Sequence, residues 1–230
     1  MGVATGAMIF DVGGVFVVPH RDPVLTALDD ADVDVVNEDV ELAHFRGIAV
    51  MDSHLGVNQD WRWYLSGYLS SLGVSKAHEP IAREVLAALW RQPSIDLWRH
   101  VLQDSVESLR LLAGQGFRLG VVSNSDGTVV EQLATHSICK VGAGSGVEVA
   151  CILDSATVGV AKPDPAILRL ALDELNVDAR DAIYVGDSVR YDIACAEAAG
   201  VKAIHFDPHG LCVHPTPHPH VRSLRELLTT

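Results

Sequence analysis

The chain has 230 residues, of which 48% are hydrophobic and 20% charged, as is typical of a packed globular protein. Lysine and arginine total 17 against 30 aspartates and glutamates, so the formal net charge is −13. This acidic excess argues against nucleic acid as a general partner, because phosphate backbones are bound by surfaces rich in Lys and Arg. A small anionic ligand remains compatible with it, since one well-placed lysine is enough to bind such a ligand.

The sequence shows no pattern of secretion or membrane insertion. No apolar run approaches the ~20 residues that a membrane span needs. The first residues, MGVATGAMIF, lack the basic region of a signal peptide. We therefore expect a cytoplasmic protein that contacts no membrane and keeps its widely spaced cysteines reduced, namely Cys139, Cys151, Cys195 and Cys212.

The chain opens with a β pattern and continues with a helical region. Residues 7–18, AMIFDVGGVFVV, form an apolar run that one aspartate and two glycines interrupt. The region that follows reads as mostly helical up to Pro93. Helices are predicted there over residues 24–29, 38–45, 58–72 and 77–92.

After Pro93 the predicted strands and helices alternate. Strands are expected over residues 117–122, 147–154, 182–185 and 201–206. Helices are expected over residues 104–115, 126–135, 163–175, 188–199 and 224–228. This alternation is typical of a doubly wound parallel sheet of the α/β class. We predict an α/β core made of residues 1–19 and 94–230, with a small α-helical insertion over residues 20–93.

Polar side chains follow three of the predicted strands at the point where each strand ends. These are Asp11, the pair Ser123 and Asn124, and Asp187, while Lys162 precedes a proline-started helix. Each residue alone is also explained as a turn, cap or surface group. Because the carboxyl ends of parallel strands meet at one edge of a sheet, we expect them to converge. Carboxylates suit Mg²⁺, and an ammonium and a hydroxyl suit phosphoryl oxygens.

These motifs resemble those of the haloacid dehalogenase superfamily of hydrolases, over residues 9–228. FDVGGV is similar to the first motif, whose leading aspartate, here Asp11, is the nucleophile. VVSNSDG is similar to the second, in which Ser123 binds the transferring phosphoryl group. VGVAKPDPAI is similar to the third, in which Lys162 neutralises charge. YVGDSVRYD is similar to the fourth, in which Asp187 helps to hold Mg²⁺ and Asp192 supports that site.

The resemblance implies a Rossmann-like core, with residues 20–93 as a mobile cap over a small phosphorylated metabolite. It implies covalent catalysis, in which Asp11 attacks phosphorus in line and water hydrolyses the resulting aspartyl-phosphate. The implied cofactor is Mg²⁺, held by Asp11, Gly13, Asp187 and Asp192. The implied phosphate-binding residues are Ser123, Asn124 and Lys162.

One position departs from the phosphatase pattern. Most phosphatases of this superfamily carry a second Asp two residues after the nucleophile, and here that residue is Gly13. Glycine keeps the carbonyl oxygen that ligates Mg²⁺ in the family but lacks the carboxyl group that protonates the leaving oxygen. General acid–base catalysis is typically worth ~10²–10⁴-fold. The loss should therefore slow alkyl phosphates most, and a Gly13→Asp change should raise the alkyl-phosphate rate.

Other activities remain open. The main alternative is a catalytically weak relative that keeps the metal pocket and binds a phosphorylated ligand or a partner. A dehalogenase is less favoured, because that branch uses no metal and the sequence retains Gly186 and Asp187. A phosphonatase needs a Schiff-base lysine in the cap, where the sequence offers Lys76, which is expected to be a solvated surface group.

Residues outside the four motifs are also candidates for contacting the substrate. One hypothesis assigns the missing acid role to His20, for which a surface loop position is the simpler interpretation. Arg46 is a candidate anion contact in the cap. Further cap candidates are His44, His54, Trp61, Arg62 and Trp63.

The tail of the chain is rich in histidine. Prolines separate several of these histidines, which therefore lack the helical or CxxC spacing of a preformed metal site. We expect ordinary loop residues at His205, His209, His214, His218 and His220.

Overall fold

The computed structural model describes residues 6–54, 61–214 and 217–229. Its strands, in chain order, are β1 (Ala7–Phe10), β2 (Val17–Val18), β3 (His100–Val101), β4 (Arg118–Ser123), β5 (Cys139–Val141), β6 (Val147–Val149), β7 (Cys151–Asp154), β8 (Ala182–Gly186), β9 (Lys202–Phe206) and β10 (His220–Val221). Its helices are α1 (Arg21–Asp29), α2 (Val40–Asp52), α3 (Arg62–Ser71), α4 (Glu79–Leu89), α5 (Ser94–Leu97), α6 (Gln103–Ala113), α7 (Val129–Thr135), α8 (Ser155–Val158), α9 (Ala166–Leu175) and α10 (Ala194–Ala199).

A parallel sheet forms the centre of the core. Within the described ranges it has six strands in the order β10-β9-β8-β1-β4-β7. Phe10 at the end of β1 pairs with Val121 on one side and with Val185 on the other. The segments that follow β1, β4 and β8 therefore emerge at one edge of the sheet. The predicted doubly wound α/β fold is confirmed.

Helices cover both faces of the sheet. The central strand β1 is apolar at every position, so both of its faces need to be buried. Successive side chains of a strand point to opposite faces. Met8 and Phe10 pack in one cluster with residues of α6 and α7. Ala7 and Ile9 pack in a second cluster with residues of α9 and α10. A strand buried on both faces reads as a continuous hydrophobic run, which is why β1 was recognisable from sequence.

Helices α1 to α4 form a separate cluster over residues 21–89. Their shared core includes the fully buried side chains of Tyr64, Tyr68, Leu69, Leu72 and Leu86. Helix α2 is longer than the predicted 38–45, because it continues through Gly47. A β-carbon on Gly47 would lie 2.7 Å from the Tyr64 ring, so glycine permits the close packing of α2 against α3. The predicted helix start at residue 58 lies outside the described residues.

The two connections between the helical region and the sheet lie side by side. β2 precedes the helices and β3 follows them, and the two pair antiparallel, with Val17 opposite Val101. The backbone N–H of His20 also donates to the Leu97 carbonyl at 2.7 Å. The chain therefore leaves and re-enters the core through neighbouring strands, as an inserted unit does.

Some predicted elements differ from the structure in their bounds. The predicted strand over 7–18 is divided into β1 and β2 by the turn at the two glycines, and that over 147–154 into β6 and β7. The predicted helix over 188–199 begins with a π-helical turn, Val189–Ile193. In the residues that the structure describes, every helix is too short or too polar to cross a lipid bilayer.

Candidate active site

A cavity of about 700 Å³ lies between the edge of the sheet and the helical insertion. Its floor comes from the core and includes Asp11, Ser123, Lys162 and Asp187. Its roof comes from α2, α3 and α4 and from the segment after α4, and is largely apolar. The roof residues include Ile48, Met51, Trp61, Leu65, Ala87 and Trp90.

Asp11 and Lys162 form a buried ion pair at the centre of the floor. Asp11 follows β1 directly and is 8% exposed, and Lys162 is 3% exposed. Lys162 Nζ lies 2.8 Å from Asp11 Oδ1 and 2.6 Å from Asp192 Oδ1. The Lys162 ammonium group therefore bridges Asp11, the predicted nucleophile, and Asp192 of the predicted fourth motif.

Asp192 holds Lys162 from the opposite side of the floor. Its Oδ1 also accepts a hydrogen bond from Tyr184 OH at 2.9 Å, and its Oδ2 accepts from the Ser188 N–H at 3.0 Å. The π-helical turn that begins after Ser188 aims this carboxylate back at the sheet edge. Asp192 thus positions both Lys162 and the loop that carries Asp187.

Burial dominates the protonation of the floor. Burial raises the pKa of Asp11 to about 7, opposed by the charge of Lys162 and reinforced by Asp192 and Asp187. Burial also raises the pKa of Asp187 well above its ordinary value, with Asp192 adding to the effect. Burial disfavours the ammonium of Lys162, but Asp11 and Asp192 outweigh it and raise the pKa of Lys162.

The carboxylates of the floor fit a hard divalent cation. Oxygens of Asp11, Asp187 and Asp192 lie within 4.8 Å of one another, and all three side chains are buried. Their negative charges exceed the single positive charge of Lys162, and desolvation makes this excess costly. Carboxylate oxygens at this spacing are the donor set that Mg²⁺ prefers.

Gly14 permits the close approach of Asp187. Its φ is +71°, in the left-handed region, and a β-carbon there would lie 1.9 Å from Asp187 Oδ2. Any side chain would therefore displace the carboxylate. The second glycine of FDVGGV is required by both backbone conformation and space.

His44 of α2 reaches the floor from the helical insertion. It is 1% exposed, and its Nε2 lies 2.9 Å from Asp187 Oδ2 while its Nδ1 lies 3.0 Å from Tyr64 OH. Burial lowers the pKa of His44 to about 3, so the ring is neutral. Nδ1 and Nε2 of this neutral ring are therefore hydrogen-bonded to Tyr64 OH and Asp187 Oδ2, and one of the two nitrogens carries the ring proton. His44 was among the cap residues that the sequence indicated as candidates.

Ser123 is the last residue of β4 and Asn124 follows it, and both line the cavity. Ser123 is 5% exposed. Asn124 exchanges two hydrogen bonds with the backbone of Lys162: its Nδ2 donates to the Lys162 carbonyl at 2.9 Å, and its Oδ1 accepts from the Lys162 N–H at 2.8 Å. The side chain of Asn124 therefore positions the segment that presents Lys162.

A family model of haloacid dehalogenase-like hydrolases matches residues 5–200 of the chain. The chain belongs to this family. The match includes all four motifs and the whole helical insertion, so the resemblance drawn from the motifs is confirmed.

Several curated members of the family are similar to part of the chain. Phosphoglycolate phosphatase of Rhodospirillum rubrum is 38% identical over 96 residues, which are 42% of this chain and 37% of that protein. Phosphoserine phosphatase of Thermus thermophilus is 32% identical over 127 residues, 55% and 47% respectively. Glyceraldehyde 3-phosphate phosphatase of Pyrococcus abyssi is 37% identical over 91 residues, 40% and 36% respectively. The matched stretches span less than half of these curated relatives.

Solved structures of the family share the fold over nearly the whole chain. A hydrolase of this superfamily from Geobacter sulfurreducens superposes with a TM-score of 0.60 at 21% identity, covering 99% of this chain and 97% of its own. The 2-haloacid dehalogenase of Pseudomonas syringae superposes with a TM-score of 0.54 at 23% identity, covering 97% and 96%. At these identities the comparison shows the common family architecture.

Three residues that the sequence analysis considered, His20, Arg46 and Lys76, lie away from the cavity described above. His20 is not among the residues that line it; the side chain caps α1, where Nδ1 accepts from the Asp22 N–H at 3.2 Å. Arg46 is exposed on α2 and does not line the cavity either. Lys76 is exposed between α3 and α4. His20 and Arg46 therefore do not contribute to the cavity wall, because His20 lies at the start of α1 and Arg46 lies on the exposed face of α2.

Asp52, at the end of α2, joins the insertion to the loop that carries Asp187 and was not recognised from sequence. Its Oδ1 accepts from Ser188 Oγ at 3.1 Å and from the Arg190 N–H at 3.0 Å, and its Oδ2 accepts from the Val189 N–H at 2.6 Å. Burial raises the pKa of Asp52 to about 6, opposed by these hydrogen bonds. No local pattern distinguishes Asp52 from a surface aspartate, so only the fold reveals it.

Trp98 is a second residue that the sequence did not indicate. Its ring lines the cavity beside Gly13 and meets the His44 ring edge-on, with ring centroids 5.4 Å apart at 85°. The Trp98 carbonyl accepts a hydrogen bond from the side chain of Gln132. Trp98 is therefore held between the insertion and the core, directly above the first motif.

Proposed function

We propose that the chain is a Mg²⁺-dependent phosphatase of a small phosphorylated metabolite, acting through an aspartyl-phosphate on Asp11. The observation that carries the proposal is the contact between Asp11 and Lys162 on the floor of a cavity that the helical insertion covers. The similar curated relatives are named as phosphatases of small metabolites, which supports the same reaction.

The chain's own residues account for attack on the substrate. A carboxylate oxygen of Asp11 forms a bond to phosphorus while the bond from phosphorus to the leaving oxygen breaks. Lys162 holds Asp11 in place and balances negative charge on the phosphoryl oxygens, and Ser123 is placed to donate to one of them. Water then attacks phosphorus, which releases inorganic phosphate and restores Asp11.

Asp11 and Asp187, with the carbonyl oxygen of Gly13, are the groups proposed to hold Mg²⁺. When bound, the ion supplies positive charge to the phosphoryl oxygens and keeps the Asp11 carboxyl ionised. Asp192 acts mainly through others in this arrangement, because its oxygens already accept from Lys162, Tyr184 and Ser188.

Gly13 shapes the substrate preference. In the family pattern an aspartate at this position protonates the leaving oxygen, and glycine removes that acid from this chain. A substrate whose leaving group needs no proton is then favoured, namely an aryl or acyl phosphate. The apolar and aromatic roof of the cavity, with Trp61, Trp90 and Met51, suits an aryl or other apolar leaving group.

The test is a phosphate-release assay with Mg²⁺ on an aryl phosphate, an acyl phosphate and a panel of alkyl phosphometabolites. We expect turnover that EDTA abolishes and that is faster on the aryl and acyl substrates. Asp11→Asn should abolish it, whereas Asp173→Asn, on the exposed face of α9, should leave it unchanged. Turnover by Asp11→Asn at the wild-type rate would refute the aspartyl-phosphate.

A second function rests on the position of Trp98. Its ring fills the space beside Gly13 where the family's acid would stand, which is compatible with a catalytically weak protein that binds a phosphorylated ligand. This function predicts no turnover of any substrate in the panel, together with Mg²⁺-dependent binding of a phosphometabolite measured by calorimetry. Turnover on any member of the panel decides for the phosphatase.

A further inference from the structure

A group of histidine and cysteine side chains lies on one side of the loop that carries Asp187, and the cavity lies on the other side. The potential ligand atoms of His205, Cys212, His218 and His220 all lie within 4.8 Å of one another. Of these residues, His205 is buried, Cys212 and His218 are half-buried and His220 is exposed. The group is separate from the floor of the catalytic cavity, since none of its members lines it.

The sheet brings these residues together although proline-rich segments separate them in sequence. β9 and β10 are parallel neighbours, and His220 is the direct register partner of His205. Side chains at partner positions stand on the same face, so the two imidazole rings lie with their centroids 4.8 Å apart, tilted by 38°. His218, on the approach to β10, stacks on both, at 5.1 Å from His205 and 4.4 Å from His220.

Asp207 brings Cys212 back to the histidines. Its carboxylate accepts from the Leu211 N–H at 2.8 Å and from the Cys212 N–H at 3.0 Å, which closes the turn after β9. Cys212 Sγ then lies 3.8 Å from His218 Nε2. A sulfur ligand from the loop thereby joins three imidazoles at the end of the sheet.

We propose that His205, Cys212, His218 and His220 form a tetrahedral binding site for Zn²⁺. Tetrahedral zinc has bonds of about 2.0–2.1 Å to nitrogen and about 2.3 Å to sulfur, which places its ligand atoms roughly 3.3–3.6 Å apart. The distance of 3.8 Å from Cys212 Sγ to His218 Nε2 is close to this value. The 2.9 Å from His205 Nδ1 to His218 Nε2 needs to open by a few tenths of an ångström.

The surroundings of the site are those of a metal centre. Histidine ligands in proteins usually donate their second ring N–H to a carbonyl or carboxylate, which fixes the ring and its tautomer. His205 Nε2 lies 2.8 Å from the Asp187 carbonyl oxygen, so its proton is there and the lone pair of Nδ1 faces the cluster. His220 Nδ1 lies 3.7 Å from Asp207 Oδ2, a near carboxylate but longer than a direct hydrogen bond.

Binding exchanges protons for the metal ion. Zn²⁺ displaces the thiol proton of Cys212, which is released to water. The ring proton of His218 moves from Nε2 to Nδ1, so Nε2 offers a lone pair to the metal and each imidazole stays neutral. Sulfur and imidazole donors favour zinc over magnesium, so the site does not compete for the cofactor proposed at Asp11. Four protein ligands leave no open position, which makes the site structural.

The zinc site would connect the C-terminal tail to the loop that carries Asp187. His205 links the cluster directly to the backbone of Asp187, which in turn contacts His44 of the insertion. Zinc would therefore anchor β10 and hold the carbonyl of Asp187 in place. This inference stands independently of the proposed phosphatase reaction.

The experiment uses the untagged full chain, loaded with ZnCl₂ alone and then freed of excess metal. We expect one Zn²⁺ per chain by elemental analysis and protection of Cys212 from alkylation, read by mass spectrometry. Co²⁺ in place of Zn²⁺ should give the intense sulfur-to-cobalt absorption of a thiolate ligand. Cys212→Ser and His218→Ala should each weaken zinc binding at least about tenfold, the smallest loss typical even of changes around a metal site.

Two variants serve as controls. His214→Ala changes a histidine of the same loop that lies outside the group of ligand atoms, and it should keep the bound zinc. Asp187→Asn weakens the carboxylate site of the cavity and should also keep it. Zinc that is lost in Asp187→Asn but kept in Cys212→Ser would overturn the proposal, since the ion would then lie in the catalytic cavity. Failure of wild type to retain zinc or to protect Cys212 would overturn it without any variant.

Discussion

The ring of Trp98 lies 3.2 Å from the position that a β-carbon on Gly13 would take. A β-carbon at this position is tightly packed, so an aspartate there requires the Trp98 ring to shift by a few tenths of an ångström. Trp98 is itself held edge-on by His44 of the insertion, at 5.4 Å between ring centroids. The first motif, the connection after α5 and the insertion are thus adapted to one another at this point.

The sequence led us to expect that Gly13→Asp raises the alkyl-phosphate rate. The structure changes this expectation: Gly13→Asp alone should give no gain on alkyl phosphates, because the new side chain has to displace the Trp98 ring. Combining it with Trp98→Ala should open the space and raise the alkyl-phosphate rate at least about tenfold, at the low end of what a general acid contributes. The measurement is kcat/KM on an alkyl and an aryl phosphate, with Trp98→Ala as the control. An equal gain in the single Gly13→Asp variant would contradict the steric account.

Gly14→Ala should abolish Mg²⁺-dependent activity and Mg²⁺ binding measured by calorimetry. The methyl group would overlap Asp187 Oδ2, and the positive φ adds strain. Gly116→Ala is the matched control, since its φ is +87° but no atom lies within 4 Å of the added carbon. That variant should lose only about 1–2 kcal/mol of stability from the left-handed conformation and keep its activity. Normal Mg²⁺ binding by Gly14→Ala would show that Asp187 holds no metal.

Asp52→Ala should lower the free energy of unfolding by about 1–3 kcal/mol, because three buried donors of Ser188, Val189 and Arg190 lose their acceptor. It should also raise KM, since the contact joins α2 to the loop of Asp187. Ser53→Ala, the next residue, is the control: its hydroxyl donates to the carbonyl of Val50 and also lies within hydrogen-bond distance of the adjacent His54 Nδ1, so both contacts are local. Urea unfolding and steady-state kinetics measure both effects. Equal stability of the two variants would contradict a stabilising role of the hydrogen bonds that Asp52 accepts.

The lowered pKa of Asp126 implies that the free energy of unfolding falls at acidic pH. Partial burial disfavours its charge, but hydrogen bonds from Thr128 and Ser94 outweigh this and lower the pKa of Asp126 to about 2. A depressed folded pKa contributes stability above the ordinary value near 3.8 that is lost as pH falls through about 2. Asp126→Ala should thus cost about 1 kcal/mol at neutral pH, the usual net size of a lost hydrogen bond, and less at acidic pH.

The measurement for Asp126 is urea unfolding of wild type and variant at neutral pH and near pH 3, with the difference between them as the readout. Asp178→Ala is the control, since it removes an exposed aspartate whose carboxylate accepts from Arg180 on the surface. A difference that grows on acidification would have the wrong sign for a depressed pKa.

Much of the core was predictable because its signals are local. β1, β4, β8 and β9 are short apolar runs that end at glycine or at a polar residue, and α6 and α9 have apolar residues at helical spacing. Parallel topology then brings the residues after those strands to one edge. The convergence of Asp11, Ser123 and Asp187 followed from this general rule.

Element bounds failed where tertiary packing overrides local preference. Helix α2 continues past residue 45 because Gly47 fits beneath Tyr64, and a glycine reads from sequence as a place where a helix ends. β10 was not predicted, since its two residues become a strand only by pairing with β9. In both cases the stabilising partner lies elsewhere in the chain.

The amino-acid sequence by itself determined the family, the α/β core with its helical insertion, and the four motifs that supply Asp11, Ser123, Lys162 and Asp187. Only the tertiary structure decided that Trp98 closes the space at Gly13 and that His44 bonds to Asp187, from 143 positions away. It also decided that the histidines of the tail surround Cys212. The physical reason is range: strand and helix patterns are set by neighbours along the chain, whereas these contacts arise from the packing of separate elements.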